Sequence, residues 1–402
     1  MSDAIVILGA GQAGVQLADS LRREKCTRPI VLLSDETDFP YQRPPLSKTY
    51  LLGSFAEERL PLRGPDFYDG HGIDLRLGVA AESIDRDTRT VRLSTGEDLA
   101  YGTLVLATGT RVRDLPIPGI GGPRVHALRS LADSRKIRAA LEGARHVAVI
   151  GGGFIGLETA SAAAKMGKQV TVVEMLDRLM RRAVGPRISS FFHELHAANG
   201  VEIRYGAEVR SIGEAGTITL GNGDLLDSDL VILGAGVVPN CELATEAGLA
   251  CNNGIDTDEY GRTADPDIFA IGDCAHHLSA FARARIRLES IQNAADQARA
   301  LAKTLAGTPT AYVEVPWFWS DQYDVKLQMA GLSDGADQQV ERGDPASGSF
   351  SVFYFREGRV IAADSVRAPA DHMAMRRILA KPDPALTAEE AADTGFDLKQ
   401  RM

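Results

Sequence analysis

The sequence predicts an α/β protein with two Rossmann-like dinucleotide-binding domains and a C-terminal α+β domain. Two strand–glycine loop–helix–strand units lie about 140 residues apart. An apolar strand that ends in a small-residue turn follows each unit. Near residue 315 the pattern changes to alternating strands, and this last segment holds both tryptophans of the chain. Together these patterns are typical of an α/β fold with a separate C-terminal part.

The first unit begins with an apolar strand at Ala4–Leu8, which runs into the loop Gly9-Ala10-Gly11-Gln12-Ala13-Gly14. A helical pattern follows, and a second apolar strand at Ile30–Leu33 leads to Asp35. Glycines in such a loop let backbone N–H groups approach a pyrophosphate at the helix N-terminus, and the acid accepts hydrogen bonds from a ribose. The unit therefore predicts a dinucleotide site.

The second unit repeats this order, with a strand at His146–Ile150, the loop Gly151-Gly152-Gly153-Phe154-Ile155-Gly156 and a helix over Leu157–Met166. The next strand, Gln169–Val173, ends at Glu174. A single glycine loop is also compatible with a plain turn at a helix–sheet contact. Since both loops have the same context, the chain is expected to bind two different dinucleotides.

The strands at Leu104–Gly109 and Leu230–Gly236 bracket the second unit, which indicates an inserted domain. The predicted boundaries are 1–110 with 236–315 for the first domain, 111–235 for the second, and 316–402 for the C-terminal α+β domain. Within the first domain, a buried strand from Ile268 ends at Gly272-Asp273. We expect a helix to start there, with Asp273 bound to a ribityl hydroxyl and the helix N-terminus facing a flavin.

Composition excludes several classes. With 44% hydrophobic and 24% charged residues the chain is globular, and a net charge of −10 without a basic tail argues against nucleic acid. No apolar run is long enough for a membrane span, and the N-terminus lacks a secretory pattern, so we expect a cytoplasmic protein. The four cysteines form no C-x-x-C pair, so neither a metal site nor a redox dithiol is expected.

Three further motifs identify a family resemblance. The segments Pro40-Tyr41-Gln42-Arg43-Pro44-Pro45-Leu46-Ser47-Lys48, Leu288-Glu289-Ser290-Ile291-Gln292-Asn293-Ala294 and Pro316-Trp317-Phe318-Trp319-Ser320-Asp321-Gln322-Tyr323 resemble signatures of NADH-dependent ferredoxin reductases. These are the putidaredoxin reductase-like flavoproteins of the glutathione reductase fold. Such proteins move a hydride from NADH to FAD and then pass single electrons to a [2Fe-2S] ferredoxin, which serves a cytochrome P-450 monooxygenase or a ring-hydroxylating dioxygenase.

The resemblance implies two sets of cofactor-binding residues. The expected FAD residues are Gly9, Gly11, Ala13, Gly14, Asp35, Arg43, Lys48, Ala81, Arg129, Asp273 and Ile291. The expected NADH residues are Gly151, Gly153, Ile155, Gly156, Glu158, Glu174 and Gly236.

Lys48, Glu158 and Trp319 are the candidate catalytic residues. The resemblance implies that Lys48 lies beside the flavin, pairs with Glu158 and stabilises the reduced cofactor, while Glu158 also binds the nicotinamide carboxamide. Trp319 could cover the flavin edge. Without the resemblance, each has a plain structural alternative: Lys48 as a surface lysine, Glu158 as an acid that complements a helix dipole, and Trp319 as a core residue. Trp317 is expected in the core.

Arg63, Arg299 and Lys326 adjoin the proposed flavin-lining motifs and are the candidate docking rim for an acidic ferredoxin. Ordinary solvated arginines are the alternative, and the same holds for an alternating set at Arg283–Arg287. His276 and His277 are expected in a solvated loop, and Cys274 as a small buried residue.

Three other functions are alternatives, and the sequence argues against the first of them. A thiol-linked reductase needs a cysteine near the flavin, and residues 36–60 contain none. A rubredoxin reductase differs only in its electron acceptor. A non-catalytic, NADH-sensing flavoprotein would reduce acceptors slowly.

Overall fold

The computed structural model describes residues 2–402, and its contacts divide them into two units. The first unit consists of residues 2–42, 60–111 and 238–316. The second consists of residues 43–59, 112–237 and 317–402. The second unit keeps residues 112–237 together with 317–402, so the three-domain division stays a prediction.

Residues 2–111 begin in a strand at once, because Ile5–Leu8 is apolar and buried at every position. The elements of this stretch are β1 (Ile5–Leu8), α1 (Gln12–Arg23), β2 (Ile30–Leu33), α2 (Pro65–Gly70), β3 (Ile73–Arg76), β4 (Ala81–Asp85), β5 (Thr90–Leu93), β6 (Asp98–Ala100), β7 (Thr103–Leu106) and β8 (Thr110–Val112). Two short 3-10 helices, Pro44–Ser47 and Glu57–Arg59, lie in the part that belongs to the second unit.

Residues 112–237 repeat the strand–loop–helix–strand order. Their elements are β9 (Val125–Ala127), α3 (Leu131–Gly143), β10 (His146–Ile150), α4 (Phe154–Lys165), β11 (Gln169–Val173), α5 (Pro186–Ala198), β12 (Glu202–Arg204), β13 (Val209–Ile212), β14 (Ile218–Leu220), β15 (Leu225–Leu226), β16 (Leu230–Leu233) and β17 (Val237–Pro239). The predicted strands of the second glycine unit agree with β10 and β11 to the residue.

Residues 238–316 return to the first unit. They form α6 (Glu242–Glu246), β18 (Ile255–Thr257), β19 (Ile268–Ala270), β20 (Ala275–Ser279), β21 (Ala284–Ile286) and α7 (Ile291–Leu305). In the first unit, five parallel strands line up in the order β19–β7–β1–β2–β3. The central strand β1 pairs with β2 and β7, so the first glycine loop emerges at the carboxyl edge of the sheet, where α/β proteins bind ligands.

Residues 317–402 form the α+β part that the sequence predicted. Its elements are β22 (Trp317–Gln322), β23 (Val325–Gly331), β24 (Gln338–Asp344), β25 (Ser349–Arg356), β26 (Arg359–Val366), α8 (Pro369–Leu379) and α9 (Ala388–Ala392). The strands form an antiparallel sheet in the order β22–β23–β26–β25–β24. Strand β24 had no sequence signal, because its side chains are exposed or only half-buried and show no apolar alternation.

The second unit has its own parallel sheet, in the order β12–β11–β10–β16–β9. One hydrophobic core joins the helices beside this sheet to the C-terminal sheet, through residues such as Leu157, Phe192, Leu327 and Tyr354. The predicted fold class, with two Rossmann-like sheets and a C-terminal α+β part, is confirmed. No helix among residues 2–402 is long and apolar enough to cross a membrane.

Two expectations around Asp273 are wrong. The residues Gly272–Cys274 form a single 3-10 turn that leads into β20, and a long helix starts only at Ile291. The reason is a period of two, since Ala275, His277 and Ser279 are buried while the residues between them are not. His276 and His277 therefore lie in a strand and not in a solvated loop.

Candidate functional site

The first glycine loop leaves room for a ligand where a side chain would otherwise stand. Gly9 has φ +108°, and a Cβ on it would lie 2.3 Å from the Ala107 carbonyl oxygen. A Cβ on Gly14 would lie 2.0 Å from the Gly9 carbonyl oxygen, so the helix packs directly on the strand. A Cβ on Gly11, by contrast, would meet no atom within 4 Å. The turn, the close packing and the open middle position are what a bound pyrophosphate requires.

The N-terminus of α1 supports this fit. Gly11 is the N-cap residue, and no side chain caps the first backbone N–H groups of the helix. Those N–H groups and the positive end of the helix dipole are free to receive phosphate oxygens. Ala13 lies in this first turn, and Asp35 lies exposed just after β2.

The second glycine loop has the same construction within the second unit. Gly151 has φ +105°, and a Cβ on Gly156 would lie 2.1 Å from the Gly151 carbonyl oxygen. A Cβ on Gly153 would come no closer than 3.8 Å to any other atom, the Gly234 carbonyl oxygen being the nearest. Gly153 is also the N-cap residue of α4, and no side chain caps the first backbone N–H groups of that helix. Ile155 is 44% exposed beside this loop. The loop thus fits a second dinucleotide.

Glu174 is held in place at this second loop. Its Oε2 accepts a hydrogen bond from the Gly152 N–H at 2.6 Å, and its Oε1 accepts one from the Leu176 N–H at 2.7 Å. Each carboxylate oxygen keeps a further lone pair for a ribose hydroxyl. Arg178, which could have paired with an acid, instead donates to the carbonyl oxygens of Val184 and Arg181.

Lys48 and Glu158 form the ion pair that the sequence predicted. The Lys48 Nζ lies 2.7 Å from the Glu158 Oε2, and the side chains are 16% and 2% exposed. The Pro44–Ser47 3-10 helix positions Lys48, and α4 carries Glu158 in its second turn. The Ser47 hydroxyl donates to the same Glu158 Oε2 at 2.5 Å. The added hydrogen bond offsets part of the cost of taking this ion pair out of water.

Sequence reasoning missed the second hydroxyl on this carboxylate. The Ser320 hydroxyl donates to the Glu158 Oε1 at 2.6 Å, so Glu158 receives three donors in all. Ser47 and Ser320 both stand inside motifs that carried the resemblance. No pattern near Glu158 pointed to them, because Ser47 and Ser320 lie 111 and 162 residues from it in the sequence.

The structure also brings Arg43 and Arg129 together. The Arg43 Nη1 donates to the Arg129 carbonyl oxygen at 2.5 Å. The Arg129 N–H donates to Asp133, which closes a capping box with Ser130 at the start of α3. Both predicted residues thus belong to one local arrangement. Gly236 has φ +92° in the second unit, next to β17.

In the first unit, Ala81 starts β4 and Ile291 starts α7. The Asp273 carbonyl oxygen accepts a hydrogen bond from Arg287 at 3.1 Å. The predicted FAD residues outside the second unit therefore lie at three strand ends, one turn and two helix starts. Their roles stay predictions.

Trp319 lies in β22 and is half-buried, with its ring 5.7 Å from that of Trp317. Trp317 was expected in the core but is also half-buried, and the Arg376 guanidinium lies over its ring, 4.4 Å from the ring centroid. Of the other residues singled out, Cys274 is fully buried as expected, and burial raises the pKa of its thiol. His277 is buried as well, and burial lowers its pKa to about 4.

The candidate docking residues each contact an acid. Arg63 lies 2.7 Å from the buried Asp19. Burial raises the pKa of the Asp19 carboxyl, but the guanidinium groups of Arg63 and Arg23 lower it by more, so the pKa is below its usual value. Arg299 pairs with Asp296, and Lys326 lies 3.5 Å from Asp321. The docking rim stays a prediction, with its positive charge partly compensated. No group of residues within 2–402 has the composition and spacing to hold a metal ion.

Two open glycine loops, each at an uncapped helix start, and a buried Lys–Glu pair define an oxidoreductase that uses two dinucleotides. Comparison with known proteins gives the family. Residues 3–298 match the pyridine nucleotide-disulphide oxidoreductase model, and residues 317–402 match the reductase C-terminal model. The chain belongs to the pyridine nucleotide-disulphide oxidoreductase family, among its putidaredoxin reductase-like ferredoxin reductases. The cofactors of this group are FAD and NAD(H).

Relatives are similar over their whole length. Rhodocoxin reductase from Rhodococcus erythropolis is 48% identical over 98% of this chain and 93% of that protein. The ferredoxin reductase of the CYP199A2 system from Rhodopseudomonas palustris has a TM-score of 0.97 at 45% identity, with 99% of each chain covered. Putidaredoxin reductase in its covalent complex with putidaredoxin has a TM-score of 0.96 at 40% identity, covering 99% of this chain and 97% of that one. A rubredoxin reductase from Pseudomonas putida is 38% identical, covering 94% of this chain and 100% of that protein.

Proposed function

We propose that the protein is an NADH-dependent ferredoxin reductase that supplies single electrons to a [2Fe-2S] ferredoxin of a cytochrome P-450 or ring-hydroxylating oxygenase system. Bound FAD supplies the chemistry that links a two-electron donor to a one-electron acceptor. We further propose that the protein works in the cytoplasm.

The observation that carries this proposal is the Lys48–Glu158 ion pair in a loop region without cysteine. A thiol-linked reductase of this fold would need a redox cysteine there, and residues 36–60 have none. All four cysteines are free in the structure, and burial raises the pKa of Cys241 to about 12, which makes its thiol a poor nucleophile. Rhodocoxin reductase, the reductase of the CYP199A2 system and putidaredoxin reductase, named above, fit this interpretation, whereas the rubredoxin reductase fits the alternative acceptor.

The chain's residues divide the work by charge. The Lys48 ammonium provides a fixed positive charge for a cofactor that gains negative charge on reduction, and Glu158 holds that ammonium in place. The two helix starts at Gly11 and Gly153 receive the pyrophosphates, and Glu174 receives the adenosine ribose of NADH.

The acceptor is the point to test. NADH-driven cytochrome c reduction is measured on the purified protein alone, with a [2Fe-2S] ferredoxin, and with a rubredoxin. We expect a yellow protein with one noncovalent FAD, and a large increase in rate with the ferredoxin only. Equal stimulation by rubredoxin would move the assignment to a rubredoxin reductase. Slow turnover with every acceptor, joined to an NADH-dependent change of oligomeric state, would support the non-catalytic alternative.

A further inference from the structure

A line of polar side chains continues from Glu158 through Ser320, Gln322 and His196 to Tyr323. Behind Ser320, the Gln322 Nε2 lies 3.3 Å from the Ser320 Oγ. The Gln322 Oε1 lies 2.9 Å from the His196 Nε2, and the His196 Nδ1 lies 3.4 Å from the Tyr323 hydroxyl. Ser320, Gln322 and His196 are all fully buried. All three of these contacts join one side chain to another, so they depend on the side chains and not on the pairing of backbone strands.

Local structure explains how the line arises. Ser320 and Gln322 are two residues apart in β22 and therefore point to the same face, toward the interior. His196 comes from the last turn of α5, and burial lowers its pKa to about 4, so its ring is neutral at physiological pH. A neutral imidazole has one donor and one acceptor nitrogen.

The hydrogen positions along the line follow from its charged end. Glu158 is ion-paired with Lys48, and a carboxylate only accepts hydrogen bonds, so the Ser320 hydroxyl donates to it. Ser320 can then only accept from Gln322, which makes the nearer amide atom of Gln322 its NH₂ group. The amide oxygen consequently faces His196.

The same reasoning sets the tautomer of His196. Its Nε2 must carry the hydrogen that is donated to the Gln322 oxygen, and its Nδ1 must accept from the Tyr323 hydroxyl. The second Gln322 amide hydrogen points to the Met180 sulfur at 3.9 Å. Four successive donors therefore point in one direction, from Tyr323 to the Glu158 carboxylate.

We propose that Ser320, Gln322 and His196 are positioning residues for the Lys48–Glu158 ion pair, and that this directed line of donors holds the Glu158 carboxylate, and through it the Lys48 ammonium, in the geometry the reaction needs. Consecutive hydrogen bonds that point the same way polarise and strengthen one another in a buried environment. An amide cannot readily pass a proton on, so the line orients charge and is not a proton path. The proposal rests on the proposed function, because it places the ion pair at the flavin.

The decisive variant is Gln322→Glu, which keeps size and shape and reverses polarity. Burial raises the pKa of the new carboxyl, so the variant is measured up to pH 9; once ionised, the carboxylate accepts from both Ser320 and His196, and Ser320 no longer donates to Glu158. In the purified holoprotein we expect flavin reduction by NADH in a stopped-flow experiment to slow by about tenfold, with the Kd for NADH changed by less than about twofold. The flavin midpoint potential should move to more negative values.

Two histidine variants test the other end. His196→Gln can still donate an amide hydrogen to Gln322 and should stay within about twofold of the wild-type rate. His196→Leu removes the donor and should fall between the wild type and Gln322→Glu. The control is Ser189→Ala, in the same helix α5, whose buried hydroxyl donates to the Leu179 carbonyl oxygen at 2.7 Å and has no link to Glu158. It should leave the rate and the potential unchanged.

A measurement independent of activity is the tautomer of His196. ¹⁵N NMR of histidine-labelled holoprotein, with the His196 signals assigned through His196→Gln, should show a neutral ring protonated at Nε2 at pH 7. A ring protonated at Nδ1, or a charged ring, would overturn the proposal. So would a Gln322→Glu variant that keeps the wild-type rate and potential at pH 9, and if that variant does not fold, the tautomer alone decides. A wild-type protein without FAD or without NADH oxidation would refute the proposed function instead, while the tautomer would still report the direction of the line.

Discussion

At the scale of single residues, the buried Glu158 carboxylate gathers several hydrogen-bond donors. It is 3% exposed and is contacted by one ammonium and two hydroxyls. The family resemblance implied its pairing with Lys48, which stands in one of the motifs that carried the resemblance. The hydroxyls came from Ser47 and Ser320, whose distances in sequence of 111 and 162 residues from Glu158 gave no signal.

Removing only one partner of the buried Lys48–Glu158 ion pair should destabilise the protein more than removing both. Lys48→Met leaves Glu158 charged and unpaired, so we expect a loss of about 3 kcal/mol of stability and a melting temperature lower by roughly 5 °C. The double variant Lys48→Met/Glu158→Gln removes both charges and should recover most of that loss. Flavin reduction by NADH should be about 10- to 100-fold slower in both. Thermal melting and stopped-flow absorbance measure the two effects, and a double variant as unstable as Lys48→Met would contradict this account.

Glu174 should set the preference for NADH over NADPH. A 2′-phosphate about 4 Å from its carboxylate meets a repulsion of about 4 kcal/mol at an effective dielectric of 20, and screening reduces this, so at least about tenfold discrimination is expected. Glu174→Gln removes the charge while keeping an oxygen for the glycine loop, and should raise kcat/KM for NADPH several-fold. Steady-state kinetics with both cofactors provide the measurement. Equal kcat/KM values in the wild type would refute the role of Glu174.

At the scale of elements, the sequence predicted what depends on local pattern. The strands of both glycine units follow from unbroken apolar runs and their bounding loops, and the structure reproduces Ile30–Leu33, His146–Ile150 and Gln169–Val173. The turn at Asp273 was misjudged because Gly-Asp is an equally good start for a helix or a hairpin. Only the sheet partners of β20 decide between them. Those partners are distant in sequence.

The Lys48 loop contains no cysteine, so flavin reduction should not depend on any thiol. Replacing all four cysteines with serine should leave NADH–ferricyanide turnover within a few-fold, because no thiol belongs to the Lys48 loop. Cys274 is fully buried, so serine there should lower the melting temperature, and Cys274→Ala serves as the milder alternative. If a folded cysteine-free protein cannot reduce its flavin with NADH, a thiol mechanism was missed.

A buried acid in the C-terminal sheet gives the second unit a pH-dependent stability. Burial raises the pKa of Asp364 to about 7, although the Tyr354 hydroxyl donates to it at 2.6 Å. Tyr354 also accepts a hydrogen bond from the Gly185 N–H at the start of α5, and Arg178 lies near its ring. The folded state thus holds a proton that the unfolded chain, with a carboxyl pKa of 3.8, releases earlier.

This raised pKa fixes the sign of the effect. The contribution of Asp364 is most favourable below about pH 4 and is lost as the pH rises to 7, where the accumulated cost is on the order of 4 kcal/mol. Asp364→Asn keeps an acceptor for Tyr354 without the charge, so its melting temperature should exceed that of the wild type increasingly between pH 5 and 8. Melting curves across this range test the prediction, with the exposed Asp87→Asn as control. A constant difference between wild type and Asp364→Asn would contradict it.

At the scale of the whole molecule, the net charge determines what kind of surface an acidic ferredoxin needs for docking. The chain has 54 acidic and 44 basic residues, so an acidic partner is repelled overall and needs a local positive region. Composition predicted this requirement but could not show that each candidate cation has an acid beside it. Arg63 in particular pairs with the buried Asp19, so Arg63→Glu would set two carboxylates together and disturb the fold.

Lys326 is therefore the better probe of steering. It is 53% exposed and only loosely paired with Asp321, so Lys326→Glu changes surface charge with little structural cost. At low salt we expect the KM for ferredoxin in cytochrome c reduction to rise about three- to tenfold, while NADH–ferricyanide turnover stays the same. The difference should shrink as salt is raised to about 1 M, where the Debye length falls to about 3 Å. The exposed Lys381→Glu in the same unit carries an equal charge change and should have no such effect. If both assays fall together in Lys326→Glu, this residue supports the fold or the NADH site, and if neither changes, the docking surface lies elsewhere.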